Sequence, residues 1–246
     1  MFHIFTKKRF LVDALHGFVD IHNHILPGID DGAKTVEESI ALIKEFNSIG
    51  VTNFIATPHI MNDYYPNTPE TIQASYSVLK DALIKEGVSN ISLDTAAEHM
   101  IDTHFETLLA NKGIMPVRSR YLLIEMSYLQ ASLNFDNAVD RITSAGFFPI
   151  LAHPERYRYL ADRRDVLKGF KEKNVLFQLN LLSLSEYYGK DIQKVALKLL
   201  DKNLIDFVGS DVHNIKQLKA LKEVTIVNST YDKLVQLVRN TISEFY

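Results

Sequence analysis

Along this chain, short aliphatic and β-branched runs alternate with longer stretches whose apolar positions recur at helical spacing. The short runs span residues 18–21, 53–57, 92–96, 121–124, 148–151, 175–179 and 206–209, each with the length and composition of a buried strand. Between the first two, residues 36–49 place Ile40, Leu42, Ile43, Phe46 and Ile49 at helical spacing, and Thr35 ahead of Glu38 has the form of a capping box. Further helices are predicted over 69–86, 135–145, 164–173, 190–202 and 231–245. Strand and helix in alternation predict an α/β fold with a parallel sheet, and seven repeats favour a closed or nearly closed, TIM-like (β/α)7 barrel. No Gly/Ser/Pro-rich linker divides the chain, so residues 18–246 are expected to form a single domain preceded by a small N-terminal appendage, 1–17.

Barrel active sites form where strands end at their C-terminal edge, so the residues that close each run carry the functional information. Six of the seven runs close in a metal-capable side chain. They lead into Asp20-Ile21-His22-Asn23-His24, Thr57-Pro58-His59, Ala97-Glu98, Glu125, Ala152-His153-Pro154-Glu155-Arg156 and Ser210-Asp211-Val212-His213; the sixth run ends in Asn180. His22 and His24 are alternate residues of an extended segment and project to one side, so two imidazoles can reach one ion; Asp211 and His213 repeat that geometry. Each feature also has a plainer account. A lone histidine such as His59 or His153 is more often a half-buried packing residue, and Asp30-Asp31-Gly32 has the composition of a turn. Glu98 and Glu125 close apolar runs, where an unpaired carboxylate is costly; either a cation or an ion pair with Arg118, Arg120 or Arg156 would remove that cost. Taken together the plainer accounts require six unrelated buried polar residues at six strand ends. A shared metal site accounts for all of them.

Composition narrows the chemistry. The 246 residues contain no cysteine, which excludes disulfides, zinc-thiolate sites and cysteine nucleophiles. A net charge of −3 lacks the basic excess expected for nucleic-acid binding. No apolar run approaches the roughly 20 residues needed to cross a bilayer, so membrane insertion is not expected, and with no signal peptide in evidence the expected location is cytoplasmic.

The motif from Asp20 to Gly32, with Ala56-Thr57-Pro58-His59, Ala152-His153-Pro154-Glu155-Arg156 and Ser210-Asp211-Val212-His213-Asn214, resembles the polymerase and histidinol phosphatase (PHP) superfamily. More closely it resembles the bacterial manganese-dependent protein-tyrosine phosphatases of capsule and exopolysaccharide loci. The resemblance runs from about Phe18 to about Lys219. It implies a distorted seven-stranded barrel holding three divalent ions, with manganese the expected metal and iron or zinc also compatible with the donors. It further implies one ion on His22, His24, Glu98 and Asp211, a second on Asp30, His59 and His213, and a third on Glu98, Glu125 and His153, with Glu98 bridging. The implied reaction is attack of a metal-bridging hydroxide on a protein phosphotyrosine, the substrate being a bacterial tyrosine kinase that controls capsule or exopolysaccharide synthesis. Arg156, with its planar fork, suits the phosphoryl oxygens, its plainer role being an ion pair with Glu155 or a nearby acid. Three ions and a hydroxide set against Asp30, Glu98, Glu125 and Asp211 leave a cluster of about +1 formal charge, attractive to a phosphate dianion.

The chain departs from its relatives at His99-Met100 after Glu98, in residues 1–17, and after His213, where Lys216 and Lys219 stand but no arginine. His3, His16, His99 and His104 are expected at the surface or in packing, and Tyr64, Tyr65, Tyr157 and Tyr159 receive no role. The rival readings are a small-molecule phosphatase of the histidinol-phosphate type and a non-catalytic barrel used for binding.

Overall fold

Each expected strand run forms strand over part of its length in a computed structural model, which describes residues 7–161 and 163–246. In chain order the strands are β1 (Lys8–Phe10), β2 (Val19–Asp20), β3 (Asn53–Ala56), β4 (His59–Ile60), β5 (Ser92–Thr95), β6 (Glu98–Met100), β7 (Tyr121–Glu125), β8 (Phe148–Ala152), β9 (Leu176–Asn180), β10 (Phe207–Gly209) and β11 (Thr225–Val227). The helices are α1 (Val36–Asn47), α2 (Pro69–Lys85), α3 (Phe105–Ala110), α4 (Phe135–Ser144), α5 (Arg164–Glu172), α6 (Lys190–Asp201), α7 (Ile215–Lys222) and α8 (Asn228–Phe245). The result is a mixed α/β fold on parallel sheets. One sheet has the order β10-β9-β8-β7-β6-β4, the other β2-β3-β5, and every pair within them is parallel.

Two of the expected runs break where the sheets meet. Thr57-Pro58 separates β3 from β4, and the proline has no N–H to give a ladder. Ala96-Ala97 separates β5 from β6, and the Ala97 N–H turns away to the Met115 carbonyl. Hydrogen bonds still cross the seam, from Ala96 N–H to Ala56 O (2.8 Å) and from Glu98 N–H to Pro58 O (3.0 Å). At the other seam, Asn23 bridges Val212 in parallel, the Asp211 N–H reaches His22 O (2.7 Å) and the His24 N–H reaches Val212 O (3.0 Å).

Strand alternation sorts the core into two bodies. From β7, Leu122 and Ile124 join the large cluster packed under the helices, whereas Tyr121 and Leu123 join a smaller one with Val19, Ile55, Ile150 and Phe207, closed by Phe245 of α8. Helix starts follow their capping chemistry. Thr35 accepts the Glu38 N–H as expected, but the Glu38 carboxylate takes the N–H of Lys34 and not that of Thr35, so the expected box is half formed. The reciprocal box occurs instead at Thr68 and Thr71, ahead of α2 with Pro69 in its first turn.

Residues 1–6 of the expected appendage, including His3, lie outside the described residues. Of the remainder, β1 pairs antiparallel with β11, and Leu11 and Leu15 are fully buried in the large cluster. His16 is exposed, and His104 directly precedes α3, also exposed. Among the described residues no helix is long and apolar enough to cross a membrane.

His99 is a packing residue, as expected, but a demanding one. It is fully buried, its Nδ1 lies 3.0 Å from the Leu123 carbonyl and its Nε2 accepts the Met115 N–H at 3.1 Å. A neutral Nδ1–H ring satisfies both contacts. Burial lowers its pKa from 6.5 to about 4. A base with a depressed folded-state pKa contributes stability that is complete above pH 6.5 and is lost as pH falls toward 4, on the order of 3 kcal/mol in all. The melting-temperature gap between metal-free wild type and His99→Asn is therefore expected to narrow as pH falls through this window; parallel pH dependences would exclude titration of His99 on unfolding.

Candidate metal centre

The strand ends bring eight of the nine expected metal ligands close together. His22 and His24 follow β2, His59 opens β4, Glu98 opens β6, Glu125 ends β7, His153 follows β8, and Asp211 and His213 follow β10. Register contributes directly, since His59 stands opposite Glu98 and Met100 opposite Glu125. The His22 Nε2 lies 3.2 Å from Glu98 Oε2 and 3.3 Å from Asp211 Oδ1. The His24 Nε2 is 3.4 Å from the same Asp211 oxygen, and the His153 Nε2 is 3.0 Å from Glu98 Oε1. His59 Nδ1 stands 3.1 Å from Glu98 Oε2 and 2.8 Å from Glu125 Oε1.

Four overlapping groups have donor atoms close enough to share an ion: His22/His24/Asp211, His22/Glu98/His153, His59/Glu98/Glu125 and His24/Asp31/His59/His213. Short separations alone do not distinguish a metal site from an ion-pair network. The polar atoms without partners do. Glu98 Oε2, Glu125 Oε1, His59 Nδ1 and His153 Nδ1 are buried and make no hydrogen bond among the described residues, and the first three point toward one another. Lone pairs turned inward on a shared point fit a cation, which removes the desolvation cost of each. Among the described residues Glu98 and Glu125 pair with none of the arginines that would have served instead: Arg118 holds Asp94 and the Phe245 carbonyl, Arg120 lies over the Phe148 ring, and Arg156 pairs with Asp211, a nearby acid as its plainer role expected.

The geometry around Asp30 differs from the expected ligand set. Asp30 was expected among the ligands of the second ion, but its Oδ2 lies 2.8 Å from His24 Nδ1 and accepts the His59 N–H, while its Oδ1 accepts the Gly32 N–H. Both oxygens are thus occupied in fixing the loop and the His24 ring. The neighbouring Asp31, half-exposed, presents Oδ1 at 3.4 Å from His59 Nε2 and 3.5 Å from His213 Nε2. The two carboxylates are adjacent and chemically identical, so sequence order alone does not tell which one faces His59 and His213.

A second layer of residues orients the donors. Gln178 Oε1 lies 2.6 Å from His22 Nδ1, and His213 Nδ1 is 3.0 Å from the Asp211 carbonyl, so in each ring the Nε2 is the free atom. Gln178 also donates to Asn180, which donates to Asp211 Oδ2. Strand β9, without a ligand at its end, is thus a polar brace. Asp20 accepts from the Ser210 N–H (2.9 Å) and hydroxyl (2.6 Å), holding the first ligand pair against the last; burial pushes its carboxyl up to about 6.

Backbone geometry leaves two further signals. His153 and Asp211 have φ of 37° and 52°, left-handed values that are costly for side chains with a Cβ and recur at functional sites. A Cβ on Gly32 would stand 2.1 Å from the His24 carbonyl oxygen, and one on Gly209 would stand 2.7 Å from the His22 Cβ. Both glycines permit the close approach that brings the donors together.

Electrostatics follow from this crowding. Burial opposes charge on Glu98 and Asp211, but the surrounding imidazoles hold both well below the usual carboxylate range. Burial likewise opposes charge on His24, and Asp30 overcomes it, pushing the ring up to about 10. Above the donors, Arg156 donates to Asp211 Oδ2 at 2.6 Å, with its guanidinium 4.7 Å from the Tyr128 ring and 4.5 Å from that of Tyr188. Tyr65 stacks on His59, with ring centroids 5.4 Å apart, and Tyr64 is exposed. Tyr157 accepts the Met126 N–H, and Tyr159 donates to the Ser127 carbonyl. The whole opens into a cleft of about 1010 Å³.

Histidine and carboxylate donors gathered at the ends of parallel strands, beneath an arginine, define a metal-dependent α/β enzyme. The chain belongs to the CpsB/CapC family of capsular polysaccharide synthesis, whose family model matches residues 18–234. It is 33% identical over 228 residues to CapC of Staphylococcus aureus, covering 90% of this chain and 89% of that one. It is also 33% identical over 199 residues to the tyrosine-protein phosphatase YwqE of Bacillus subtilis, covering 80% and 78%. A solved chain from the crystal structures of YwqE from Bacillus subtilis and CpsB from Streptococcus pneumoniae, described as metal-dependent tyrosine phosphatases, superposes with a TM-score of 0.77 at 29% identity, over 90% of this chain and 94% of that one.

The two aspartates make opposite forecasts. Asp31→Ala is expected to lower bound metal by about one equivalent with little change in thermal stability of the metal-free protein, because its side chain is half-exposed. Asp30→Ala is expected to lower that stability, since it strands His24 and the Gly32 N–H. Metal analysis and melting curves on both variants check this, and unchanged metal content in Asp31→Ala would return the ligand role to Asp30.

Proposed function

We propose that the chain is a metal-dependent protein-tyrosine phosphatase whose four overlapping donor groups hold three divalent ions, manganese first among the candidates and iron or zinc chemically compatible. The observation that carries the reading is the set of inward-facing, unpartnered buried atoms on Glu98, Glu125 and His59 beneath Arg156. In this assignment one ion takes His22, His24, Asp211 and Glu98, a second takes Asp31, His59 and His213, and the third takes Glu98, Glu125 and His153. Glu98 serves two of them because its Oε2 faces His22 and His59 while its Oε1 faces His153.

Such ions, when bound, lower the pKa of water into the neutral range and neutralise phosphoryl oxygens. The chain's own part is positional. Gln178, Asp30 and the Asp211 carbonyl fix the rings of His22, His24 and His213, so the donors need no rearrangement to bind. Arg156 is held by Asp211 through Nη1 and flanked by two tyrosine rings, and its remaining N–H donors are available to the phosphoryl oxygens of a substrate. A tyrosine leaving group has a pKa of roughly 10, so it departs with less help from an acid than an alkyl alcohol needs. The site contains no thiol, and none is required.

We further read the two sheets as one distorted seven-stranded barrel, supported by the hydrogen bonds across both seams, with residues 18–246 as its single domain. The substrate we assign is a tyrosine-phosphorylated protein, a bacterial tyrosine kinase of capsule or exopolysaccharide synthesis, with the cytoplasm as the location where the two would meet.

Comparison of kcat/KM on a phosphotyrosine peptide, a phosphoserine peptide and histidinol phosphate tests the substrate class, with the first expected to lead. Chelation is expected to abolish hydrolysis while thiol alkylation leaves it intact; full activity in metal-free protein would overturn the reading. Glu98→Gln is expected to lose more than one equivalent of metal, and an unchanged content would exclude a bridge. Arg156→Ala is expected to lower kcat/KM by about 2 to 4 kcal/mol equivalent, with little recovery in Arg156→Lys, because a point charge does not reproduce the fork. Near-wild-type turnover in both would remove Arg156 from phosphate binding.

A further inference from the structure

The loop after β7 is unusual in what it leaves in solvent. Residues 126–134 contain no charged side chain, and Leu129 and Leu133 are 92% and 99% exposed. Such exposure is not the product of an unconstrained loop. Its base is fastened to the segment after His153, where the Tyr157 hydroxyl accepts the Met126 N–H at 3.0 Å and the Tyr159 hydroxyl donates to the Ser127 carbonyl at 2.8 Å. Within it, the Ser127 hydroxyl oxygen accepts the Leu129 N–H and the Ser132 hydroxyl oxygen accepts the Asn134 N–H. Two large apolar side chains are therefore held outward by a hydrogen-bonded scaffold at the mouth of the cleft whose floor is the metal centre.

The cleft is also far larger than one phosphorylated side chain needs for its phosphoryl group. At about 1010 Å³ it reaches from Glu125, His153 and Arg156 to both leucines, and its lining also includes Tyr64, 75% exposed, with Asp63 and Asp102. A small phosphate ester bound at the floor would leave the leucines in water. A peptide strand crossing the mouth would cover them, and large apolar side chains exposed beside a binding cleft point to a macromolecular partner. The wall aspartates would repel carboxylates in that strand.

We propose that residues 126–134 form an apolar docking ledge selecting protein substrates with large apolar side chains beside the phosphotyrosine and disfavouring acidic ones. This rests on the phosphotyrosine phosphatase reading and adds the sequence context of the substrate. The ledge acts on substrate binding, so its effect falls on KM for peptides and not on the chemistry at the floor.

The test uses the full, metal-loaded chain with three substrates: p-nitrophenyl phosphate, a phosphotyrosine peptide flanked by leucine and phenylalanine, and the same peptide flanked by aspartate. Wild type is expected to favour the apolar peptide over the acidic one in kcat/KM. The double variant Leu129→Ser/Leu133→Ser, which alters only exposed side chains, is expected to lose about tenfold on the apolar peptide, chiefly in KM, with p-nitrophenyl phosphate hydrolysis and metal content unchanged. Equal kcat/KM for the two peptides in wild type would overturn the proposal, as would a double variant that treats the apolar peptide as wild type does. A loss shared equally by p-nitrophenyl phosphate would overturn it too, by showing damage to the floor. Failure of wild type to hydrolyse all three substrates would overturn the phosphatase reading itself, and the ledge with it.

Discussion

The structure depends on the burial of Glu98. A carboxylate removed from water within a parallel sheet is among the most costly groups a fold can carry, and no lysine or arginine among the described residues pairs with it. Its surroundings are imidazoles and further carboxylates, which compensate one another only while the histidines carry protons. Cation binding displaces those protons. The centre is thus a site where protons and divalent ions compete for the same lone pairs, and its affinity for metal falls as pH falls. Much of the surrounding architecture follows from this constraint: strands that break to let His59 and Glu98 face each other, a brace of Gln178 and Asn180, and glycines where two donors must approach closely.

The architecture was largely legible in the sequence because it rests on two local signals, apolar runs of strand length and helical periodicity between them. What escaped was set by geometry across the chain. The breaks at Thr57-Pro58 and Ala96-Ala97 arise where two sheets join, and only the proline marks one of them. The capping box at Thr68 uses threonine in place of the acid or amide that marks the usual motif, so the sequence pattern passed over it.

The candidate site was legible for a different reason: its donors fall at strand ends, where no other requirement places buried histidine and glutamate. The exception is instructive. Asp30 and Asp31 are adjacent, identical in chemistry and in the same turn, and only the direction of the backbone after Gly28 decides that one orients His24 while the other faces His59 and His213. Tyr157 and Tyr159 carried no signal either. Their value lies in hydroxyls that reach the backbone of another strand-end loop, a relation that exists only once the sheet has formed.

The seam between Asp20 and Ser210 has a consequence in time as well as in space. His22 and His24 are made early in synthesis, whereas Asp211 and His213 are made late, and the backbone contacts between His22 and Asp211 and between His24 and Val212 close a loop of about three quarters of the chain. Contacts of such separation form slowly and cannot form at all on a nascent chain that has not yet reached residue 211. A partly synthesised chain therefore presents His22 and His24 as a loose pair, with little hold on a metal ion. The donor set is complete only once the fold has closed, so the centre is assembled only in molecules that have finished folding.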